Sequence, residues 1–194
     1  STSSCPASRS STILCAKTAP RCLRRSAPAS LTEFSLDEQL RQVILRLEPT
    51  WSARGISWQL DLNSVTVVSD EELLSHVWMN IIQNAIKFSP ENAVIEVRVF
   101  ATDTATVEIT DHGIGMDDAT VKRIFDRFYQ ADRSRKQEGV GLGLCLVKRI
   151  LDMLGGTVSV DSRPGEGSTF RIHVPFRPKY DEAAHTGERE GKSP

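Results

Sequence analysis

A polar stripe runs along a segment of the chain that otherwise has the pattern of a buried helix. Residues 69–88 are apolar at positions that would cover nearly every side of a helix. At 3.6 residues per turn, Asn80, Asn84 and Lys87 fall on one narrow stripe, which Val77 continues toward the N-terminus. Buried amide and ammonium groups are costly without partners. We therefore expect this polar stripe, Asn80, Asn84 and Lys87, to face a bound polyanion with its metal ion.

The remaining hydrophobic pattern predicts the other elements. Apolar residues at helical spacing predict helices, and alternation of apolar with polar residues predicts strands. The predicted helices cover residues 37–47, 118–129 and 144–154, and the predicted strands cover 56–62, 65–68, 95–99, 106–110, 157–160 and 169–174. A capping box of Ser69 with Glu72 is expected to begin the polar-stripe helix. Because the strands are apolar on one side only, we expect an α+β fold, a two-layer sandwich with helices on one face of a mixed sheet.

The two ends of the chain differ in composition from the part between them. Residues 1–30 contain eight serines and five basic residues, no acidic residue and little hydrophobic periodicity. We interpret residues 1–31 as a disordered or artefactual extension, with an organelle transit peptide as the alternative. Residues 32–178 are predicted to form the folded domain, and residues 179–194 a disordered polar tail.

Charge and cysteine content exclude several kinds of site. With 24 basic and 25 acidic residues, the chain has no excess of positive charge that would predict nucleic-acid binding. It has no apolar run long enough to span a membrane, so we expect no direct membrane insertion. The four cysteines include no C-x-x-C pair, which argues against a zinc site and a disulfide framework.

A carboxylate followed by two glycines comes at the end of a predicted strand, in segment 111–116, Asp-His-Gly-Ile-Gly-Met. Glycine lets a flat ligand approach the backbone closely beside one fixed acceptor. Asp111 could accept a hydrogen bond from the exocyclic amine of an adenine ring, with Ile114 and Met116 as the apolar wall. An ordinary turn is the alternative, because Asp-x-Gly also marks turns.

A second glycine-rich segment, residues 139–144, leads directly into the last predicted helix. Glycines before a helix N-terminus present free N–H groups and the positive end of the helix dipole, which suit phosphates. The spacing matches neither a Rossmann fingerprint nor a P-loop, and a lid hinge is the alternative interpretation. The preceding residues 131–138 have almost nothing to bury, so we interpret them as a lid over the site.

These segments occur in an order that resembles the ATP-binding catalytic domain of sensor histidine kinases, within the GHKL superfamily. The polar-stripe helix is similar to the family's N box, and segment 111–115 to its first glycine box. Segments 124–129, 139–144 and 165–170 resemble the F box, the second glycine box and the last glycine box. The resemblance covers residues 32–178, and the F box favours the histidine-kinase branch.

The resemblance implies a role for each matched residue. Catalytic roles fall to Asn80, Lys87 and Arg127, and Asn84 is the implied ligand of a magnesium ion that bridges the phosphates of ATP. Phe88 is expected beside the nucleotide. The implied nucleotide-binding set is Asn80, Asn84, Lys87, Phe88, Asp111, Gly113, Ile114, Gly115, Met116, Gly139, Val140, Gly141, Leu142, Gly143, Leu144 and Thr169.

Three positions distinguish this chain within that pattern. Val140 stands where many relatives have Thr or Ser, and Glu138 stands where another glycine is common. We expect these two departures to affect lid closure and nucleotide affinity. Asn80 stands where the ATP-hydrolysing relatives place a glutamate base. An amide cannot take a proton from water, which disfavours fast hydrolysis and favours transfer to a histidine.

The resemblance also implies partners. Histidine kinases carry the phosphoacceptor histidine on a dimerisation domain, and none of the four histidines here has that setting, so we expect the acceptor on a separate domain. A response regulator is an indirect partner, and the parent kinase is expected at the inner membrane with this domain in the cytoplasm. Two alternatives on the same fold stay open: a serine kinase of the anti-sigma type and a nucleotide-sensing interaction module.

Overall fold

The structure, a computed structural model, describes residues 30–127 and 143–177 of the chain. Some of the expectations above concern residues outside these ranges. They are the N-terminal extension, the polar tail, the lid at 131–138, the last two residues of the F box and the second glycine segment from Gly139 to Leu142. These expectations stay predictions.

The described residues form seven strands and five helices. In chain order they are β1 (Thr32–Ser35), α1 (Leu36–Arg46), α2 (Glu48–Ser52), β2 (Ser57–Leu62), β3 (Thr66–Ser69), α3 (Glu71–Phe88), β4 (Val94–Ala101), β5 (Ala105–Asp111), α4 (Asp118–Val121), α5 (Gly143–Leu154), β6 (Thr157–Arg163) and β7 (Gly167–Val174).

Five of these strands form one mixed sheet in the order β2–β4–β5–β7–β6. β2 and β4 are parallel, and the other three neighbouring pairs are antiparallel. On β4, Ile95, Val97 and Val99 are fully buried and pack in one core with apolar residues of α1, α3 and α5. The predicted α+β sandwich, with helices on one face of a mixed sheet, is therefore confirmed.

The other face of the sheet carries a row of alternating charges that crosses all five strands. Arg98 Nε lies 3.5 Å from the Asp61 carboxylate, and Arg98 Nη1 lies 3.6 Å from that of Glu108. Arg171 Nε lies 2.7 Å from the Glu108 carboxylate, and Arg171 Nη1 also pairs with Asp161. This row keeps the face hydrated, so the apolar core forms on the helix side alone.

The predicted capping box at the start of α3 is wrong by one residue. The helix begins at Glu71, and the Asp70 carboxylate accepts the Leu73 N–H at 3.0 Å as its N-cap. Ser69 is still part of β3, where it pairs with Thr32, and its hydroxyl is buried without a partner in the described residues. The strand pairing holds Ser69 in extended backbone, and aspartate is as good an N-cap as serine.

The predicted helix over residues 118–129 is also wrong in its described part, residues 118–127, where only the first turn, α4, is helical. The Lys122 N–H still reaches Asp118 O, but the Arg123 N–H bonds Thr120 O and the Asp126 N–H bonds Arg123 O. Hydrogen bonds between residues three apart have thus replaced the bonds between residues four apart that define an α-helix. The chain continues in turns to Arg127. Apolar spacing does not separate one long helix from a helical turn followed by such turns.

Candidate functional site

The polar stripe lies at the border between the buried and the solvent-facing sides of α3. Asn80, Asn84 and Lys87 are half-buried, whereas Val77 and Ala85 on the same helix are fully buried. The stripe is thus accessible from solvent along one edge of the helix. The helix itself is long and apolar enough to be fixed in the core, so these polar groups have a rigid support.

Asn80 contacts the first turn of α5. Its Nδ2 donates to the carbonyl of His76 one turn earlier, at 2.8 Å. A Cβ on Gly143 would lie only 2.7 Å from Asn80 Oδ1. A side chain at residue 143 would therefore have to displace Asn80, and glycine allows the start of α5 to lie directly against the polar stripe.

Asn84 and Lys87 follow Asn80 along the stripe. The Asn84 side chain has no hydrogen-bond partner within the described residues, so its amide oxygen is available as an acceptor. Lys87 Nζ lies 5.4 Å from the centroid of the Phe88 ring, within the range of a cation–π contact. Phe88 keeps 40% of its surface exposed, which is unusual for an aromatic residue at the end of a core helix.

Asp111 is a buried carboxylate at the end of β5, only 4% exposed. Its Oδ1 accepts the Gly113 N–H at 2.9 Å, and the N–H of Ser168, its partner in the register of β5 and β7, also lies near the carboxylate. Burial raises the pKa of Asp111 above its ordinary value, and the two N–H groups and nearby His112 oppose that rise. The side chain is thus held in place by backbone on two sides.

The loop after Asp111 is bound to the end of α3. The Ile114 N–H donates to Phe88 O at 3.3 Å, and a Cβ on Gly113 would lie 2.4 Å from that same oxygen. The glycine at 113 is therefore required by the close approach of the two backbones. This contact brings Asp111 and the polar stripe into one site, with Phe88 between them.

The loop is bound on its other side to the β6–β7 hairpin. Gly115 has a φ of +62°, and a Cβ there would lie 1.8 Å from Arg163 O. The Gly165 N–H donates to Ile114 O at 2.8 Å, and the Met116 N–H donates to Ser162 Oγ at 2.9 Å. The segments predicted as the first and last glycine boxes thus form one bonded unit.

The side chains of Asp111 and Thr169 lie on opposite faces of the sheet at this end of the site, because Thr169 pairs with Thr110 and successive side chains of a strand alternate between the two faces. Thr169 Oγ1 is 3.0 Å from Thr110 Oγ1, and the neighbouring pair in the register is Asp111 with Ser168. Ile114, which is 56% exposed, and half-buried Met116 border the same end of the site. This end combines an anionic acceptor with apolar surface, whereas the other end, at Asn84 and Lys87, has an amide and a cation. The arrangement suits a ligand with an aromatic amine at one end and negative charge at the other.

Comparison with known proteins agrees with this geometry. A family model described as histidine kinase-, DNA gyrase B-, and HSP90-like ATPase matches residues 69–178, more than half of the chain. The chain belongs to this ATPase family.

The relatives of this ATPase domain are sensor kinases. It is 35% identical over 148 residues to the adaptive-response sensory kinase SasA of Prochlorococcus marinus, a match that covers 74% of the chain and 39% of SasA. The solved structure of ShkA with AMPPNP has a TM-score of 0.69 at 29% identity and matches 77% of the chain and 32% of ShkA. ThkA in complex with the response regulator TrrA has a TM-score of 0.66 at 25% identity and matches 76% of the chain and 42% of ThkA. The chain therefore spans less than half the length of each of these proteins.

The structure brings most of the predicted ATPase site residues together. The described members that lie together, on α3, in the loop after Asp111 and at the start of α5, are Asn80, Asn84, Lys87, Phe88, Asp111, Gly113, Ile114, Gly115, Met116 and Gly143. Thr169 is not one of them, because its side chain contacts Thr110 on the opposite face of the sheet. Leu144 is half-buried and packs against the core, and Arg127 is exposed at the end of the first described range. Gly139, Val140, Gly141 and Leu142 lie outside the described residues.

Sequence reasoning missed three residues that hold the ATPase site in place. Arg54, before β2, donates three hydrogen bonds to carbonyls at the end of α3, and Ser162 and Ser168 connect the loop of Asp111 to the β6–β7 hairpin. For Ser162 one signal was available. It continues the alternation of Val158 and Val160, which would have extended the predicted strand to include it.

Outside this site the described surface has one further groove of note. A groove of about 560 Å³ lies between α1 and the start of α3, and it contains none of the predicted site residues. Within residues 30–127 and 143–177, no group of three acidic, histidine or cysteine side chains could hold a metal ion by itself. In the same ranges, no helix has both the length and the apolar content needed to cross a membrane.

Proposed function

We propose that this chain is the ATP- and magnesium-binding catalytic domain of a two-component sensor histidine kinase. It donates the γ-phosphate of ATP to a histidine on a separate dimerisation and phosphoacceptor domain. One observation carries the proposal: the Phe88 carbonyl joins the loop of the buried Asp111 to the helix that presents Asn84 and Lys87. An acceptor for adenine and a phosphate-binding edge are thereby combined in one rigid unit.

Asp111 is the residue that recognises adenine. Its ionised carboxylate accepts a hydrogen bond from the exocyclic amine, and it repels the carbonyl oxygen that guanine has in the same place. Phe88, Ile114 and Met116 provide apolar contacts to the base. Phe88 and Ile114 are 40% and 56% exposed, and this supports the role. Covering these apolar side chains with a ligand removes their surface from water, which favours binding.

The polar stripe binds the phosphates. The Asn84 amide oxygen fits a magnesium ion, which prefers oxygen ligands and often takes only one or two from the protein when phosphates supply others. Magnesium supplies charge neutralisation of the phosphates when bound. Lys87 adds a positive charge beside them, and the backbone of residues 139–143 and Arg127 are proposed as further phosphate contacts.

Asn80 determines which nucleophile can be used. Its Nδ2 is already bonded to the His76 carbonyl, and an amide oxygen has no useful basicity toward water. Water is therefore not activated at this position, whereas a histidine imidazole is itself a nucleophile and needs no strong base. The names of SasA, a sensory kinase, and ThkA, a histidine kinase, support this choice, and they do not favour the serine-kinase or non-catalytic alternatives.

The proposal extends to the partners and the limits of the domain. The response regulator is an indirect partner, as the ThkA complex with TrrA supports. Residues 32–178 are proposed as the folding unit, and the cytoplasm as its location.

The direct test mixes the chain with γ-labelled ATP, magnesium and a dimerisation-domain fragment from a related kinase. We expect acid-labile phosphate on that fragment, and none when its acceptor histidine is replaced by glutamine. Asp111→Ala should abolish labelling, and the Gln83→Ala variant, altered at an exposed position of α3, should retain it. Acid-stable phosphate on a partner, or ATP binding with no transfer to any fragment tested, would contradict the proposal.

A further inference from the structure

Ser162, near the end of β6, uses every hydrogen-bonding capacity of its hydroxyl. Its Oγ accepts the Met116 N–H at 2.9 Å, donates to Gly167 O at 2.8 Å and lies 3.0 Å from Ser168 Oγ. A hydroxyl has one donor and two acceptor positions. Because the donor is directed at Gly167, Ser168 must be the donor in the third contact, and the hydroxyl is then fully satisfied.

The three groups bonded to Ser162 belong to the two sides of the proposed adenine site. Met116 ends the loop that follows Asp111, and Gly167 and Ser168 begin β7. Ser168 pairs with Asp111 in the register of β5 and β7, which places its backbone N–H near the Asp111 carboxylate. The Ser162 hydroxyl therefore joins the loop that contacts the base to the strand that holds its acceptor.

The backbone alone would maintain the fold here. Ser162 pairs with Ser168 in the register of β6 and β7, and the hairpin is paired from Thr157 to Arg163. Removal of the hydroxyl leaves this pairing in place. It removes the three hydrogen bonds of the hydroxyl, and no strand pairing replaces the one from the Met116 N–H.

We propose that Ser162 is a positioning residue for adenine recognition, whose hydroxyl fixes the Met116 loop relative to the Ser168–Asp111 contact. The proposal rests on the proposed function, in which Asp111 accepts from adenine. It predicts an effect on the base end of the ligand and none on the phosphate end.

The test compares variants at Ser162 with a matched control on the same strand. Ser162→Ala removes the hydroxyl, and Ser162→Thr and Ser162→Val form a nearly isosteric pair that differs in the hydroxyl alone. Ser159→Ala is the control, because Ser159 is an exposed residue of β6 opposite Arg171. Dissociation constants for ATP, ADP and GTP are measured by calorimetry, and unfolding midpoints by thermal denaturation.

We expect Ser162→Ala and Ser162→Val to bind ATP and ADP about tenfold more weakly, by the same factor for both, with GTP binding almost unchanged. The preference for ATP over GTP then falls, while the preference for ATP over ADP stays constant. Ser162→Thr and Ser159→Ala should remain within about twofold of the native chain. If Ser162→Ala does not fold, the Thr and Val pair gives the same comparison.

Two results would overturn the inference. In the first, the Ala and Val variants keep the ATP-to-GTP preference of the native chain and differ from it only in a lower unfolding midpoint. Ser162 would then be merely structural. The second is an equal loss of binding in the Thr and Val variants, which would make the hydroxyl irrelevant. A native chain that binds no ATP would instead overturn the proposed function, and this inference with it.

Discussion

In the proposed function, the Asn84 side chain contributes to ligand binding without contributing to the fold. It is half-buried on α3, and its amide makes no hydrogen bond within the described residues. Asparagine is also a poorer helix former than alanine, by about 0.5 kcal/mol. Its presence in the middle of an 18-residue helix is therefore a small cost to folding, which binding has to explain.

Replacement of Asn84 by alanine should separate these two properties. We expect Asn84→Ala to raise the free energy of unfolding by about 0.5 kcal/mol, because alanine favours the helix. The same variant should bind ATP about tenfold more weakly in magnesium buffer, and with little change in the presence of a chelator. Urea denaturation and calorimetry measure the two effects, with Gln83→Ala as the control. A magnesium-independent loss of affinity would remove Asn84 from the metal site.

Asp111 should make the stability of the nucleotide-free domain depend on pH. Because burial raises its pKa in the folded state, the folded chain holds this proton more tightly than the unfolded chain does. The stabilisation from that proton is complete below the ordinary value of 3.8 and is lost as the pH rises through the folded pKa. Above the folded pKa, the ionised, buried carboxylate therefore lowers stability.

Asp111→Asn removes this ionisation and keeps an oxygen that can accept the Gly113 and Ser168 N–H groups. Relative to the native chain, we expect the variant to become more stable as the pH rises from about 4 to about 7. Urea denaturation across this range, without nucleotide, measures the difference. In calorimetry the same variant should lose much of the preference for ATP over GTP. Parallel stability curves of the native chain and the variant over the whole range would show that Asp111 has the same pKa in the folded and unfolded chain.

At this scale the sequence predicts residues with distinctive chemistry and misses those that support them. Asp111 and Asn84 were predictable because a carboxylate before glycines and amides on an apolar helix are unusual. Ser162 and Arg54 have no such distinction. Serines and arginines are common on surfaces, and their contacts with Met116 and with the end of α3 exist only after the chain has folded.

Arg54 connects two elements that are 32 or more residues apart in sequence. Its Nη1 donates to Ile86 O at 2.6 Å and to Lys87 O at 3.0 Å, and its Nη2 donates to Ser89 O at 2.6 Å. The last carbonyls of a helix lack partners within the helix and carry the negative end of its dipole. A guanidinium group donates hydrogen bonds to these carbonyls and places a positive charge at the negative end of the dipole. Arg54 therefore acts as a C-terminal cap for α3.

We expect Arg54→Met to lower the free energy of unfolding by about 2 kcal/mol, since several carbonyls lose a charged donor. ATP affinity should fall as well, because the backbone of Lys87 and Phe88 is then less well fixed. Urea denaturation and calorimetry check both effects. Arg41→Met, at an exposed position of α1, is the control and should change stability by less than about 0.5 kcal/mol. An equal effect of the two substitutions would exclude a capping role for Arg54.

The elements themselves were predicted in proportion to the length of their patterns. α3 was recognised because its 18 residues give several turns of consistent spacing. β1 was not predicted, since it has four residues and is held by pairing with β3 alone. The helix over 118–129 was predicted wrongly because its apolar spacing is compatible with turns, and the hydrogen-bond pattern that decides between them is not visible in the sequence.

For the molecule as a whole, one-sided strands were sufficient to predict the sandwich, but strand order and register were not predictable from them. The row of charges from Asp61 to Asp161 depends on that register, as does the pairing of Asp111 with Ser168. Both connect residues far apart in sequence. The layered architecture thus follows from the local pattern, whereas the connections that stiffen the site follow from the register of the sheet.

In the proposed function the domain holds the phosphate donor, and the surroundings of its described histidines bear on whether one of them could be the acceptor. His76 is exposed on α3, next to the polar stripe, with its carbonyl bonded to Asn80. The His112 ring lies 3.1 Å from a Glu96 carboxylate oxygen, and His173 Nδ1 lies 3.0 Å from Thr106 Oγ1 on the open face of the sheet. Phosphoryl transfer needs a nucleophile in line with the terminal phosphate, and two of these rings have other partners.

We therefore expect the chain alone to bind ATP, to hydrolyse it very slowly and to take up no stoichiometric label. With γ-labelled ATP, denaturing gels at neutral pH should show labelled protein only after a phosphoacceptor fragment is added, and the label should be on that fragment. Slow hydrolysis follows from Asn80, which cannot remove a proton from water. Release of labelled phosphate is the second readout, with Asp111→Ala as the binding-deficient control. Stoichiometric label on His76, His112, His173 or His185 of the chain alone would contradict this donor-only organisation.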